Sequence, residues 1–542
     1  MLADSLPLMS SGWRALQTSF EERQSLYVLL GVAVSWASWW LWRFLITPRI
    51  FSLEVKEYPY WIPVIGHGIS FLNNSQELFK QARKHFGNSN EPLQLTLFGF
   101  NVYFVSRAED VSEAYRHMRT LTVDEFYRGV FLSMGASKAS VEKAFAPLPE
   151  DIKDPDNAQR KPVAQLAREM QITQLQPGPS LDTLERAELD YLEDNVKMNA
   201  ISMIRSRYPD LLGGETPGAT GSVELPLWQW CADVMVRAAQ GAFFGSALDR
   251  IDPDLPEKFM EFDNIGWKLL YQFPEFLARD TLGKRDELHA ALKAFCELPR
   301  EERSDAKAWV IDSTEDKLRA LGIPTDDIAS ILLILYWGTN TNTRKAAFWL
   351  ICFLLHNPTL IDTIRAETAA AFGPNGTITD LTHLHQNCPE LDAVWNETMR
   401  LTGVAASVRT VTADTVIGGR TLRAGNRLII PYRQLHLEPR IFGDDNMTFR
   451  PSRFQTKKSQ TGERLRMEHF RPFGGGSTIC PGRFITKRVV VDFVALLLRR
   501  FDISMAGGYQ PMPAAEEWRP VLGVIDVKPG DDMRIRLTPR KA

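Results

Sequence analysis

The sequence predicts a mainly helical fold with a smaller β region, set behind one N-terminal transmembrane helix. Three observations lead there. Apolar stretches with helical spacing or helical ends recur at residues 227–244, 325–356, from Pro389 onward, and 484–498. Strand-like segments are few, at 93–105, 408–417 and 420–431, with Gly99, Gly418-Gly419 and Ala424-Gly425 as turns. One stretch near the N-terminus, residues 25–46, is apolar enough to cross a bilayer.

Composition narrows the class. The chain has 542 residues, 44% hydrophobic and 24% charged, with a formal net charge of -3. It contains no run of Lys or Arg, so nucleic acid is not an expected partner. The five cysteines (Cys231, Cys296, Cys352, Cys388 and Cys480) are odd in number and scattered. That argues against a disulfide framework and for a reducing compartment. The chain divides into a short tail (1–24), an anchor (25–46), a proline-containing hinge (47–63) and one large domain (64–542).

Residues 26–42 carry no charge. As a helix, residues 25–46 reach roughly 33 Å, enough for a bilayer core. Trp36, Trp39, Trp40 and Trp42 crowd one end like an interfacial belt, with Arg43 placed to snorkel. A cleaved signal peptide fits poorly: the apolar run is long and follows Glu21, Glu22 and Arg23. Arg43, Arg49 and Lys56 after the span, against Arg14 and Arg23 before it, give a slight cytoplasmic bias to the C-terminal side. Pro48, Pro59 and Pro63 stiffen the exit.

Beyond the hinge, residues 106–120 read as helix. Prolines and charges mix in residues 146–179, where no structure is assigned. Residues 209–226 read as a Gly- and Thr-rich loop. The helix over 325–356 has Thr325 as N-cap, with Asp326 and Asp327 in its first turn, and would run about 46 Å. Its middle is unexpectedly polar: Gly338-Thr339-Asn340-Thr341-Asn342-Thr343, then Arg344 and Lys345. A polar cluster in a buried helix points to a cavity, water or ligand. Threonine hydroxyls that bond back to the backbone would loosen the helix there.

The most informative stretch is Phe473-Gly474-Gly475-Gly476-Ser477-Thr478-Ile479-Cys480-Pro481-Gly482. Phe473, Gly476, Cys480 and Gly482 form a spaced pattern that chance produces on the order of once in a thousand chains of this composition. Cys480 precedes a helix N-terminus, where a thiolate is favoured over a thiol. A lone thiolate without a zinc-ligand neighbour suits an axial iron ligand. The bland alternative is a buried cysteine in a glycine-rich loop.

This pattern resembles the haem-binding loop of the cytochrome P-450 superfamily, the haem-thiolate monooxygenases. Other parts of the chain resemble the family in order. Residues 59–67 resemble its proline-rich hinge. Glu397-Thr398-Met399-Arg400 resembles its Glu-x-x-Arg, and Arg453 in Phe449-Arg450-Pro451-Ser452-Arg453-Phe454 would be the third structural partner. Arg409 stands where the family pairs an arginine with a haem propionate. Thr478 stands where a basic residue is more usual, and no Trp-x-x-x-Arg follows the anchor. Residues 126–134, 259–276 and 518–525 occupy places that line the substrate chamber in the family; their alternative is ordinary core.

The resemblance departs from the pattern in the distal helix. The family places an acid and then a threonine there, a pair that relays protons to bound dioxygen. Counting back from His356-Asn357-Pro358 puts Thr341 at the acid position and Asn342 at the alcohol position. A register slipped by one gives Asn340 and Thr341; neither has a carboxylate. Asn342, with Trp337 before it and Ala346-Ala347-Phe348-Trp349 after it, resembles the steroid 7-alpha-hydroxylase and prostacyclin synthase branch.

The resemblance implies the cytochrome P-450 fold and a cofactor, haem b (iron protoporphyrin IX), with Cys480 as its thiolate ligand. It implies a membrane-anchored monooxygenase using O2 and electrons from an NADPH-cytochrome P-450 reductase. The substrate would be an apolar small molecule, sterol-, terpenoid- or polyketide-like, in specialised-metabolite biosynthesis. The location would be the endoplasmic reticulum membrane, single-pass, with the catalytic domain cytoplasmic. Thr341 and Asn342 are the candidate catalytic residues. Two alternatives stand beside this: a reductase-independent isomerase or dehydratase, which the absent carboxylate favours, and a haem-binding protein without turnover.

Overall fold

The computed structural model describes residues 26–201, 221–455, 467–517 and 523–540. The tail, most of the loop 209–226, residues 518–522 and Ser25, each given an expectation above, lie outside them. The apolar anchor is helical from Leu26 to Ile50. Its Trp42–Ile46 turn is a π-helical segment, and Pro48 follows. Leu26, Tyr27, Val28, Leu29 and Leu30 are more than half exposed.

The tryptophan end differs from a free interfacial belt. Trp36 and Trp40 both stack on Trp61 of the hinge at 5.7 Å. Trp40 Nε1 donates to the Tyr60 carbonyl at 3.1 Å. Arg43 forms an ion pair with Glu57 at 2.7 Å. Paired aromatic faces and a paired guanidinium replace contacts that the sequence reading gave to headgroups, because the proline-rich segment folds back over this end.

Six strands form one sheet, in the order Lys56–Glu57, Leu93–Leu97, Phe100–Phe104, Arg427–Pro431, Ala406–Val411, Leu121–Thr122. Leu93–Leu97 and Phe100–Phe104 form a hairpin, as the alternation predicts, closing at Phe98-Gly99 with both residues at positive φ. A second sheet joins Phe501–Met505, Arg534–Pro539 and Val223–Pro226. The predicted long strands over 408–431 are split, with Thr415–Ile417 and Arg420–Leu422 making a separate hairpin.

The core is helical. Leu227–Phe244 is apolar nearly all round and buried nearly all round, the signature of an internal helix. It packs on Pro179–Asn195 and on the helix Thr343–His356. Trp230 meets Phe493 of the helix Arg483–Arg500, with ring centroids 5.2 Å apart. That last helix, which follows the cysteine, buries an unbroken run from Val489 to Leu498. Each such Val, Leu or Phe contributes roughly 1.5–3 kcal/mol on burial. The cysteine loop therefore ends on one of the most deeply held elements. The other four cysteines, Cys231, Cys296, Cys352 and Cys388, are free and buried.

Two expectations change. Residues 106–120 are helical only over Ala108–Ala114, and Val163–Leu175, given no structure in advance, is a helix. Thr325 is not the N-cap of its helix: Pro324 holds that place in extended backbone, and Asp327 instead accepts from Ser137 N–H at 2.8 Å. The first-turn carboxylate thus holds Ser137, the N-cap of the neighbouring helix Lys138–Phe145, whose hydroxyl accepts from Ser140 N–H.

Gly66 fixes how the hinge meets the sheet. Its φ is +55°, and a Cβ there would lie 2.2 Å from the Thr96 carbonyl oxygen. Replacing it by alanine combines a left-handed backbone with a backbone clash. Gly66→Ala is expected to lower stability by about 1–3 kcal/mol, read as a lower denaturation midpoint in urea.

Candidate functional site

Cys480 is reached from a tight loop. Its N–H donates to the Phe473 carbonyl at 2.9 Å, and Ile479 N–H donates to Gly476 at 3.2 Å. Gly476 has φ +62°, and a Cβ there would sit 2.5 Å from Tyr115 Cδ1. Tyr115 in turn shares a hydroxyl contact with Tyr432. Only glycine lets the loop lie against that aromatic pair. Gly482 is different: a Cβ there would meet ordinary contacts, the nearest being Cys480 Sγ at 3.8 Å. The chain itself does not demand glycine at 482.

The sulfur is solvent-accessible, yet burial pushes its thiol pKa up, against a bond from Gly482 and the charges of Arg168 and Arg483. Cys480 is thus open to a ligand while the surrounding protein disfavours its charged form. The helix terminus alone does not make it a thiolate; a cation at the sulfur would.

Arg409 lies in the strand Ala406–Val411 and is 2% exposed. Its Nη2 donates to Thr478 Oγ1, two residues before the cysteine. Its Nη1 is buried without a hydrogen-bond partner. Burial lowers its pKa, opposed by Tyr115 and Tyr432. Such a guanidinium calls for an anion. A second cation reaches the loop from the helix Val163–Leu175: Arg168 donates to the carbonyls of Ser477 at 2.7 Å and Ile479 at 2.9 Å. Sequence reasoning missed it by searching for a tryptophan four residues earlier, where Ala164 stands.

Glu397, Arg400 and Arg453 meet in the interior. Arg400 donates to both Glu397 oxygens, at 2.7 and 2.8 Å. Arg453 Nε lies 3.3 Å from Glu397 Oε1, and Arg450 N–H donates to the same oxygen at 3.0 Å. Arg400 also donates to the His436 carbonyl at 3.0 Å. The His436 ring then accepts from Arg471 N–H at 3.0 Å, and Arg471 begins the turn into the cysteine loop. The clamp is continuous with the loop.

Facing the loop is a broken helix. Thr325–Asn340 and Thr343–His356 are separate helices joined through Thr341 and Asn342. Thr339 Oγ1 donates back to the Leu335 carbonyl at 2.7 Å, and Asn340 Nδ2 to Tyr336 at 2.9 Å. This is the loosening that polar side chains cause in a helix. Thr343 Oγ1 lies 3.5 Å from Thr486 Oγ1. Thr486 in turn borders Gly482, which borders Cys480 Sγ. The break and the sulfur look onto one region.

Thr341 and Asn342 point to different partners. Asn342 Oδ1 accepts from Val524 N–H at 2.9 Å, and a Cβ at Gly523 would overlap its side chain. Thr341 Oγ1 donates to Asp263 Oδ1 at 2.6 Å. Asp263 comes from the helix Leu255–Ile265, inside the segment 259–276, where no local pattern marks it for this role. The same carboxylate accepts from Trp337 Nε1 at 2.6 Å and from Arg344 at 2.5 Å, and Lys345 lies 3.1 Å away. Lys345 also pairs with Asp526 at 2.8 Å. Burial would raise the Asp263 pKa, but Lys345 and Arg344 outweigh it and hold the carboxyl well below its usual range. A carboxylate thus reaches the distal break from another helix. Of the remaining segment named in advance, Ile525 accepts from Trp349 Nε1 at 2.7 Å, beside Asn342.

A planar, dianionic iron porphyrin fits these groups. Cys480 offers the sulfur, Arg409 an unpartnered Nη1 for a carboxylate, and Gly476 and Gly482 a backbone free of side chains.

Comparison with known proteins agrees. Residues 246–529 match the family described as Cytochrome P450. A cytochrome P450 monooxygenase of Penicillium oxalicum is 24% identical, over 88% of this chain and 93% of its own. The 5-beta-cholestane-3-alpha,7-alpha-diol 12-alpha-hydroxylase of Sus scrofa is 27% identical over 67% of this chain and 73% of its own. Prostacyclin synthase of Rattus norvegicus is 28% identical over 61% and 70%. The solved retinoic acid-bound cyanobacterial CYP120A1 superposes with TM-score 0.65 at 18% identity, covering 90% of this chain and 100% of that one.

The His436 link makes a pH prediction. Burial and Arg400 push the ring pKa down to about 3. A base with a depressed folded pKa contributes stability above its unfolded value, about 6.5, and loses it as pH falls towards 3. Stability is expected to fall across that window, and His436→Gln, which keeps an acceptor but cannot titrate, to flatten the fall in urea titrations.

Proposed function

The chain belongs to the cytochrome P450 family and is a haem-thiolate monooxygenase, and from that premise we propose that it hydroxylates an apolar substrate at a membrane. The observation that carries this reading is the desolvated Cys480 sulfur sharing a region with the broken helix and its Asp263-bonded hydroxyl. The cofactor is haem b. Cys480 would ligate it, Arg409 would receive one propionate, and Phe473, Gly476 and Gly482 shape the loop. Glu397, Arg400 and Arg453 hold that loop's supporting segment. When bound, the haem supplies oxygen-activating chemistry, with the cysteine sulfur donating electron density to the O–O bond.

The chain's own residues supply positioning and a path for protons. Thr341 Oγ1 gives its hydrogen to Asp263, which leaves its lone pairs free to accept from a water in the site. Asp263 stays ionised and only accepts the Thr341 hydrogen bond, so the carboxylate absent from the distal helix is provided from Leu255–Ile265 as a group that orients the hydroxyl, and the protons come from solvent through that water. Asn342 is held at the break by Val524 N–H, which occupies its Oδ1. This favours oxygen-dependent turnover over the peroxide rearrangement that the distal sequence alone suggests.

The substrate is sterol-, terpenoid- or polyketide-like, in a pathway of specialised metabolites; a sterol-directed relative supports the first class. The exposed apolar helix Leu26–Ile50 anchors the protein in the endoplasmic reticulum membrane, with the catalytic domain cytoplasmic. An NADPH-dependent reductase delivers the electrons.

The test is turnover in membranes with and without reductase, under heavy-isotope O2, with apolar host metabolites supplied. Label in product only with reductase and NADPH is the expected result. Unlabelled product formed equally well without reductase would replace this reading with an isomerase or dehydratase. A normal reduced carbon monoxide complex with no product would leave a haem-binding protein.

The relay has its own test. Thr341→Ala and Asp263→Asn are each expected to lower product formed per NADPH consumed by on the order of 10²-fold, with peroxide released instead. Haem content and the carbon monoxide spectrum should not change in Thr341→Ala.

A further inference from the structure

Beside the helix Arg483–Arg500, two buried carboxylates and a half-buried histidine converge from three elements. Glu185 comes from Pro179–Asn195, His385 from Leu381–Gln386, and Asp492 from Arg483–Arg500. Their donor atoms lie within 4.8 Å of one another. Glu185 and Asp492 are 1% and 0% exposed. His385 Nε2 contacts Glu185 Oε1 directly and lies 3.8 Å from Asp492 Oδ1.

The charges do not balance. Arg488 donates to Glu185 Oε2 at 2.7 Å, but it also serves Asp182 at 2.8 Å. Asp492 has no hydrogen bond to either oxygen. Glu188, one turn beyond Glu185 and also buried, is a further carboxylate. An interior carboxylate with no donor costs more than a helix-packing site returns, unless a cation or a proton joins it.

We propose that Glu185, His385 and Asp492 bind a zinc ion, with water in the fourth position. One imidazole and two carboxylates suit zinc, whereas calcium and magnesium prefer oxygen alone. Ligand bonds of about 2.0–2.2 Å would spread the His385–Glu185 contact slightly and draw Asp492 in. Any proton on Asp492 leaves to solvent as the metal enters, because only the carboxylate ligates. The ion would staple two helices to the one that follows Cys480. It takes no part in oxygen chemistry, so this site stands apart from the haem reading.

The experiment uses the full-length, haem-loaded protein after chelator dialysis. Zinc chloride is added, excess is removed, and zinc and iron are counted together by elemental analysis while thermal unfolding is followed. One zinc per chain and a raised Tm are expected. His385→Ala, at the partly exposed ligand, should lower zinc affinity about tenfold or more and lose the Tm shift, with haem content and the carbon monoxide spectrum intact. Asp492→Asn should do the same. If Asp492→Asn does not fold, His385→Ala decides alone. No retained zinc in the wild type, or equal retention in His385→Ala, would overturn the proposal; the latter result would assign the metal to surface histidines.

Discussion

The Glu397 carboxylate is the constraint on which the rest of the site depends. It has no access to water, and it holds two guanidinium groups and a backbone N–H. Removing three charges from water costs about what their attraction returns, so the cluster is poor evidence for net stability. Its value is positional. Arg400 extends from it to His436, His436 to Arg471, and Arg471 to the turn before Cys480. A shift of the clamp propagates along that chain to the sulfur. The sulfur itself receives little help from its surroundings, since burial disfavours its charge.

A second buried charge organises the opposite wall. Asp263 joins Trp337, Thr341, Arg344 and Lys345 across the helix break, and Lys345 continues to Asp526. Asn342 fastens the neighbouring backbone at Val524. A helix interrupted by two polar residues would ordinarily leave unpaired groups in a core. Here the interruption is held by one carboxylate and one loop, which turns a local weakness into a fixed cavity wall. The two buried clusters thus hold the cysteine loop and the helix break, the two elements between which the proposed haem would lie.

The cysteine loop shows how far local pattern reaches. The sequence named Phe473, Gly476, Cys480 and Gly482 together because a short turn makes their spacing meaningful. Arg409 and the Glu397, Arg400 and Arg453 set were named by order and type along the chain. What their order did not reveal was the orphaned Nη1 of Arg409 or the bridge through His436, since both arise from segments tens of residues apart. Arg168 escaped because its helix sits in a proline- and charge-rich stretch, where tertiary packing overrides a weak local signal.

By itself, the sequence determined the helical class, the apolar N-terminal helix, the glycine-bounded cysteine and the polar interruption of the long helix. Each is a short-range property: periodicity, backbone freedom at glycine, or burial demanded by an apolar run. Only the tertiary structure decided which carboxylate answers the distal hydroxyl, where the tryptophans of the anchor go, and that Asp492 is left without a donor beside His385. These are meetings between side chains far apart in sequence, and no local spacing encodes which charges come to share a cavity where water cannot screen them.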